Sequence, residues 1–342
     1  MSTPELTVVV PLYNGQRFIA ATLDSLARQR DVDLEVLVVD DGSQDDSPAS
    51  AAAHPVGARV IRQRNLGVAV ARNRGLAEAR APWAAFVDQD DLWHPARARA
   101  LLDLADRRGA AWVASTERPF AVHGDRGALQ ALGDGRENWP DVYVDEGAEL
   151  DQLVERAPVT ADVQADVEEI SFERFLQAPA TLTTAFIFDR VTALSAGGCA
   201  AFVRALDDHV FYLNMARIAG PAVRVQAPLL YYRVHPSSAT VSSPLVKAYL
   251  STMLAVRWGR VFPADAAASE YVEHLLGQLP ASGLPRAQQL ALLELSAARH
   301  DRARLARRWA ISQARRTARR AVTGARKGRH EGRDTSAPAT VS

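Results

Sequence analysis

Residues 6–11 (LTVVVP) form an almost unbroken apolar, β-branched run, and residues 34–39 (LEVLVV) are built the same way. Short runs of this kind without alternation read as strands buried on both faces. Between them Phe18, Ile19, Thr22, Leu23 and Leu26 recur at helical spacing. Residues 58–62 and 84–87 read as a third and a fourth strand, and the Ala-rich stretch 68–80 as the helix between them. A helix running to about Arg108 and a strand over 110–115 follow. Strands alternating with helices predict right-handed crossovers and a mainly parallel sheet. Residues 124–170 read as an acidic loop, in which Arg156 is the one cation between Asp141 and Glu173. Residues 181–188 (TLTTAFIF) and 223–232 return to strand character, and 203–219 reads as a helix preceded by a glycine-containing turn at 196–202. From Pro244 the pattern is helical, residues 301–329 are strongly basic, and the closing GRDTSAPATVS reads as disordered.

Composition narrows this picture. The 342 residues are 48% hydrophobic, enough for a sizeable core in one large domain or two smaller ones. The 40 Lys and Arg balance the 40 Asp and Glu, so no overall field favours nucleic acid. The single cysteine, Cys199, excludes an internal disulfide and a Cys-based zinc site, and fits a reducing compartment. The apolar run near the N-terminus is too short for a signal-peptide core, and no run reaches the roughly 20 residues of a membrane helix. A cytoplasmic location, extending to the inner face of the membrane, is the expectation.

The chemistry concentrates where the strands end. In a parallel sheet ligands bind outside the carboxyl ends of the strands, and here those ends carry PLYN, DDGS and DQDD. All three polar clusters therefore fall on one edge. In DQDD, Asp88 and Asp90 stand two apart after a buried strand, so in extended backbone both carboxylates face one way. They could converge on a hard cation, Mg2+ or Mn2+, that keeps open positions for phosphate oxygens. The plainer reading is a polar turn in which Asp91 caps the next helix. In DDGS, Asp40 and Asp41 could accept hydrogen bonds from a base or a ribose; the plainer reading is a βα turn with Ser43 as cap. Arg72 and Arg74 lie on the helix nearest this edge, where arginine pairs with phosphate or with the cluster's own acids.

Together VVVPLYNGQRFIAATLDSL, LEVLVVDDGSQDDS, NLGVAVARNRGLAEA and FVDQDDLWHP resemble the family two glycosyltransferases of GT-A fold, in order and with similar gaps. AGGCAAFVRALDDHVFYLNMA is similar to the family's glycine-rich turn and acidic pair, and YYRVHPSSAT to its Tyr-Arg-x-His segment. The resemblance implies an α/β, Rossmann-like GT-A fold with a C-terminal helical extension. Residues 1–120 would bind the nucleotide sugar and 121–240 the acceptor; 241–330 would be a basic helical extension and 331–342 a disordered tail. It implies transfer with inversion from a nucleotide-diphosphate-sugar donor to a saccharide, lipid-linked or small-molecule acceptor, aided by Mg2+ or Mn2+. Carried over by position, Pro11, Tyr13, Asp40, Asp41, Arg72, Asp88 and Gln89 would surround the nucleotide. Asp90, with Asp88 and His235, would hold the metal. Asp208 would be the general base and Asp207 its partner, Asp207 standing where the family more often has Glu.

Two segments lie outside that pattern. The acidic stretch 141–173 reads first as a solvated loop and second as a surface for a cationic acceptor. The basic tract RARLARRWAISQARRTARRAVTGARK carries Leu305, Trp309 and Ile311, and could lie on an anionic membrane as an amphipathic helix or stand solvated. A nucleotidyltransferase is the rival enzyme, but PLYNGQRF has one glycine and no Gly-rich phosphate loop. A non-catalytic nucleotide-sugar-binding protein is the rival from another class.

Overall fold

The computed structural model describes residues 3–131, 140–155, 166–177, 181–201 and 207–238. The chain divides into two compact units, Met1–Ala248 and Tyr249–Ser342, and every described residue lies in the first. The first elements are β1 (Leu6–Leu12), α1 (Ile19–Ala27), β2 (Leu34–Asp40), α2 (Ser47–Ala53), β3 (Arg59–Arg62), α3 (Val68–Glu78) and β4 (Trp83–Phe86). Next come β5 (Leu92–Trp93), α4 (Arg97–Arg108), β6 (Trp112–Val122), α5 (Arg126–Ala131), β7 (Val142–Val144) and α6 (Ala148–Glu155). The described chain closes with β8 (Val167–Ile170), α7 (Phe172–Gln177), β9 (Phe186–Asp189), α8 (Arg190–Ser195), α9 (Asp207–Ala219) and β10 (Ala222–Arg233).

One sheet runs β3-β2-β1-β4-β9-β6-β10-β5, with β7 beside β6 and β8 beside β10. Five of the nine pairings among the described residues are parallel. β1 is central, pairing β2 and β4, and all seven of its residues are buried. That is why it reads as a continuous apolar run. Pro11 sits inside the strand and does not close it. β4 pairs β1 only as far as Val9, so the missing N–H of Pro11 costs no ladder bond on that side. α3 lies on β1 and β2, and Gly75 lets it come that close: a Cβ there would stand 2.1 Å from Val9 Cγ1.

Strand direction decides where the chemistry gathers. β1, β2 and β4 are parallel; β9 runs antiparallel between β4 and β6, and β10 is parallel to β6. The carboxyl ends of β1, β2, β4, β6 and β10 therefore share one edge, and the start of β9 joins them. Residues 183–185, just before β9, form a single 3-10 turn at that edge.

The structure revises three expectations. Residues 181–188 are not all strand, because only Phe186–Asp189 pairs. The strand expected over 110–115 runs on to Val122: polar Thr116, Glu117 and Arg118 interrupt the apolar pattern, yet all three pair with β10, across register shifts between Val225 and Pro228 and between Pro228 and Leu230. The described parts of 124–170 are not loop but α5, β7, α6 and β8. Val144, Leu150 and Val154 bury against Leu92, Phe120 and Tyr231, a few apolar anchors hidden in acidic composition. The expected helical extension, basic tract and tail lie outside the described residues, as do 203–206 of the expected helix 203–219 and Phe202 of the turn before it. Among the described residues no helix is long and apolar enough to cross a membrane.

Candidate active site

The β1 end is held by the β4 end. Gln89 Oε1 accepts from the Tyr13 backbone N–H at 2.8 Å, and Gln89 Nε2 donates to the Tyr13 carbonyl at 3.2 Å. This amide pairing resembles a short piece of sheet, and it leaves the Tyr13 side chain exposed beside the cleft. Gly15 makes room for it, since a Cβ there would meet Gln89 Oε1 at 2.6 Å.

At the β2 end the two acids are spent on the protein itself. Asp40 is wholly buried; its carboxylate accepts from the Ser43 N–H and from Arg62 Nε, both at 2.8 Å. It braces the turn at the end of β2. Asp41 accepts from Gln63 Nε2 and from the N–H groups of Leu66 and Gly67, each at 2.8 Å. It shapes the loop leading into α3. Ser43 caps no helix, because α2 begins only at Ser47 and the Ser43 hydroxyl instead accepts from the Asn14 N–H.

The β4 end carries the densest charge. Arg72, buried on α3, donates to Asp88 Oδ1 at 2.7 Å and reaches Asp207 Oδ2 at 3.4 Å. Burial acts to lower its pKa, but Asp88 and Asp207 overrule that and raise it well above the usual arginine value. Arg72, expected near the nucleotide, lies beneath the surface and holds Asp88 and Asp207. Burial pushes the Asp207 carboxyl up to about 6, with Arg72 pulling the other way and Asp208 adding repulsion.

Asp90 and His235 meet directly, His235 Nε2 lying 2.8 Å from Asp90 Oδ2. The ring is fixed by a 4.5 Å stack on Phe18 and by the Ser237 hydroxyl at Nδ1. Arg233, between the rings of Phe18 and Phe120, donates from Nε to the Asp90 carbonyl at 3.0 Å. Asp91 does not cap a helix. It is buried between the Arg233 N–H and the Thr184 hydroxyl, and burial together with Asp90 and Asp88 raises its pKa strongly.

Of the acidic pair at the start of α9, Asp207 is buried and Asp208 partly exposed. Asp208 Oδ2 accepts from the Thr183 hydroxyl at 2.5 Å, and Oδ1 from the His209 N–H at 2.8 Å. The edge thus brings Tyr13, Asp41, Asp88, Asp90, His235 and Asp208 together around strand ends. Reading the sequence missed Thr183, Thr184 and Arg233. Thr183 and Thr184 were taken for strand residues, and Arg233 was visible only as a letter in YYRVH.

Could a divalent cation sit here? Among the described residues no three His, Cys, Asp or Glu side chains form a ready metal cage. The donor set is nonetheless hard and converges: the Asp90 carboxylate and the His235 imidazole touch, with Asp88 two residues away. One Asp88 oxygen is committed to Arg72. Such a site fits a cation that fills most of its shell with phosphate oxygens and water, as Mg2+ does.

Residues 7–144 match the profile described as Glycosyl transferase family 2. The succinoglycan biosynthesis protein ExoO of Rhizobium meliloti (strain 1021) is 42% identical over 109 residues, 31% of this chain and 31% of its own length. The chain thus spans about a third of the length of the first curated relatives it matches. Among solved structures, S. aureus TarS 1–349 in complex with UDP superposes with a TM-score of 0.60 at 15% identity, over 90% of this chain and 89% of that one. The mannosyltransferase PcManGT of Pyrobaculum calidifontis, in complex with GDP-Man and Mn2+, gives 0.51 at 20% identity, over 92% and 87%. At these identities the likeness establishes the fold, which is of GT-A type. Over residues 7–144 this chain is thus similar to glycosyl transferase family 2.

Proposed function

We propose that this protein transfers a sugar from a nucleoside-diphosphate sugar to an acceptor hydroxyl, with inversion at the anomeric carbon. The observation that carries the reading is the meeting, at one sheet edge, of the Asp90–His235 pair with the hydrogen-bonded carboxylate of Asp208. Tyr13 and the loop shaped by Asp41 border the nucleoside, and Asp88 lies toward the ribose. Asp90, His235 and the open side of Asp88 would hold Mg2+ or Mn2+, which when bound supplies positive charge to the diphosphate. Asp208 takes the proton of the acceptor hydroxyl as its oxygen bonds to the anomeric carbon, while the bond to phosphate breaks and its electron pair leaves with the nucleoside diphosphate. Holding Asp90 after β4 and Asp208 at the start of α9 on one edge aligns the two reactants. The acceptor is a saccharide, a lipid-linked sugar or a small molecule.

The test is release of nucleoside diphosphate from UDP-GlcNAc and GDP-Man with Mn2+, in wild type and Asp208→Asn. General-base removal should slow release about 100-fold or more. Wild-type consumption of neither donor, or an unimpaired Asp208→Asn, would overturn the reading.

A further inference from the structure

Thr183 precedes β9 in a turn anchored on every side. Arg97, fully buried, donates from Nη2 to the carbonyls of Thr184 at 3.0 Å and Ala185 at 2.7 Å. Its Nη1 donates to the Ser115 hydroxyl, and its guanidinium lies 4.7 Å over the Trp93 ring. The Thr184 hydroxyl donates to Asp91 Oδ2 at 3.0 Å, and the Ala185 N–H to the Leu182 carbonyl at 3.0 Å. Nothing in this set depends on a ligand. The turn is rigid before any substrate arrives, so the Thr183 hydroxyl, buried and 2.5 Å from Asp208 Oδ2, occupies a fixed point.

The same turn faces two ways. Through Thr184 it ties Asp91, whose second oxygen accepts from the Arg233 N–H; Arg233 in turn holds the Asp90 carbonyl. Adjacent threonines thus connect the acid at the start of α9 to the backbone that carries Asp90. Asp208 stands in the first turn of α9 and is partly exposed there. A carboxylate so placed rotates about its side-chain torsions unless a neighbour fixes it.

We propose that Thr183 is a positioning residue of the transfer reaction: its hydroxyl, set by the Arg97-anchored turn, holds the Asp208 carboxylate in register with the Asp90 side of the cleft. The inference rests on the proposed reading of Asp208 as the proton acceptor. With Oδ2 bound by Thr183 and Oδ1 by the His209 N–H, the plane of the carboxylate is defined, and the lone pairs left over point in set directions. Loss of the hydroxyl leaves donor binding intact and misaligns the proton transfer, so kcat falls while the donor KM stays.

The experiment compares wild type with Thr183→Val, Thr183→Ala and Thr183→Ser, each checked for an unchanged melting profile. UDP-GlcNAc and GDP-Man with Mn2+ serve as donors, and nucleoside diphosphate release is followed at varied donor concentration. The expected result is a fall in kcat of about 10- to 100-fold in each folded variant lacking the hydroxyl. Donor KM should stay within about twofold, and Thr183→Ser should recover most of kcat. Wild-type kcat in a folded Val or Ala variant, or a Ser variant as slow as Val, overturns the positioning role alone. A wild-type protein that consumes neither donor overturns the functional reading, and the role of Thr183 with it.

Discussion

Replacing Arg72 with Met leaves a side chain of similar reach and no charge among three acids. In the folded protein Arg72 bridges Asp88 at 2.7 Å and Asp207 at 3.4 Å, with its guanidinium 5.8 Å from the Phe86 ring centre. Removing one partner of a buried pair costs about 3–5 kcal/mol, because the other charge stays buried and uncompensated. Here the two acids differ. The Asp88 side chain is 37% exposed and can recover water; that of Asp207 is 9% exposed and cannot. The lower figure, about 3 kcal/mol, is therefore expected at pH 8. At pH 5 the Asp207 carboxyl, already pushed up to about 6 by burial, takes a proton and no longer needs a cation. The cost of the substitution should then shrink to roughly half. Urea unfolding at the two pH values, followed through the fluorescence of buried Trp93 and Trp112, measures both numbers. A loss below about 1 kcal/mol at pH 8, or one no smaller at pH 5, would refute the claim that Arg72 neutralises this cluster.

Asp207→Asn isolates the titration itself. A carboxyl raised from 3.8 to about 6 binds its proton more tightly in the folded state, so its contribution to stability falls as pH rises between those values. Wild-type stability relative to Asp207→Asn should drop by up to about 3 kcal/mol from pH 4 to pH 7, and a flat difference contradicts the shift. Gly75→Ala places a methyl 2.1 Å from Val9 Cγ1 at the α3–β1 contact, and should lower stability by about 1–3 kcal/mol in thermal unfolding. Gln89→Ala breaks both amide contacts to the Tyr13 backbone, and should raise the donor KM several-fold with little change in melting temperature.

The first four strands and the helices α1, α3 and α4 were legible because each carries a readable signal; α2 was not read. β1 and β2 are buried on both faces and read as apolar runs; α1 shows its apolar stripe. The strand-end clusters followed from topology alone. What stayed hidden has a physical cause in each case. Strand direction leaves no mark in hydrophobicity, so the antiparallel run of β9, which sets the preceding turn with Thr183 at the edge, was unreadable. α6 buries only Leu150 and Val154 among acids, too few positions for a period to emerge. Arg72 and Arg97 are charged residues spent inside the protein, and sequence pattern assigns such residues to the surface. Asp40 and Asp41 were rightly placed at the strand end, but their partners Arg62, Gln63, Leu66 and Gly67 come from the next strand and loop, and composition does not show that the carboxylates are already engaged.

The central claim is that one sheet edge grips a sugar nucleotide through Asp90 and its neighbours. Calorimetric titration of UDP-GlcNAc and GDP-Man into the protein, with Mn2+ present and then with chelator, tests it most directly on wild type and Asp90→Ala. The account predicts saturable binding of at least one donor by wild type with Mn2+, weakened at least tenfold by chelator and by Asp90→Ala, a loss of about 1.4 kcal/mol or more. Equal affinity in wild type and Asp90→Ala, or no binding of either donor, would contradict it.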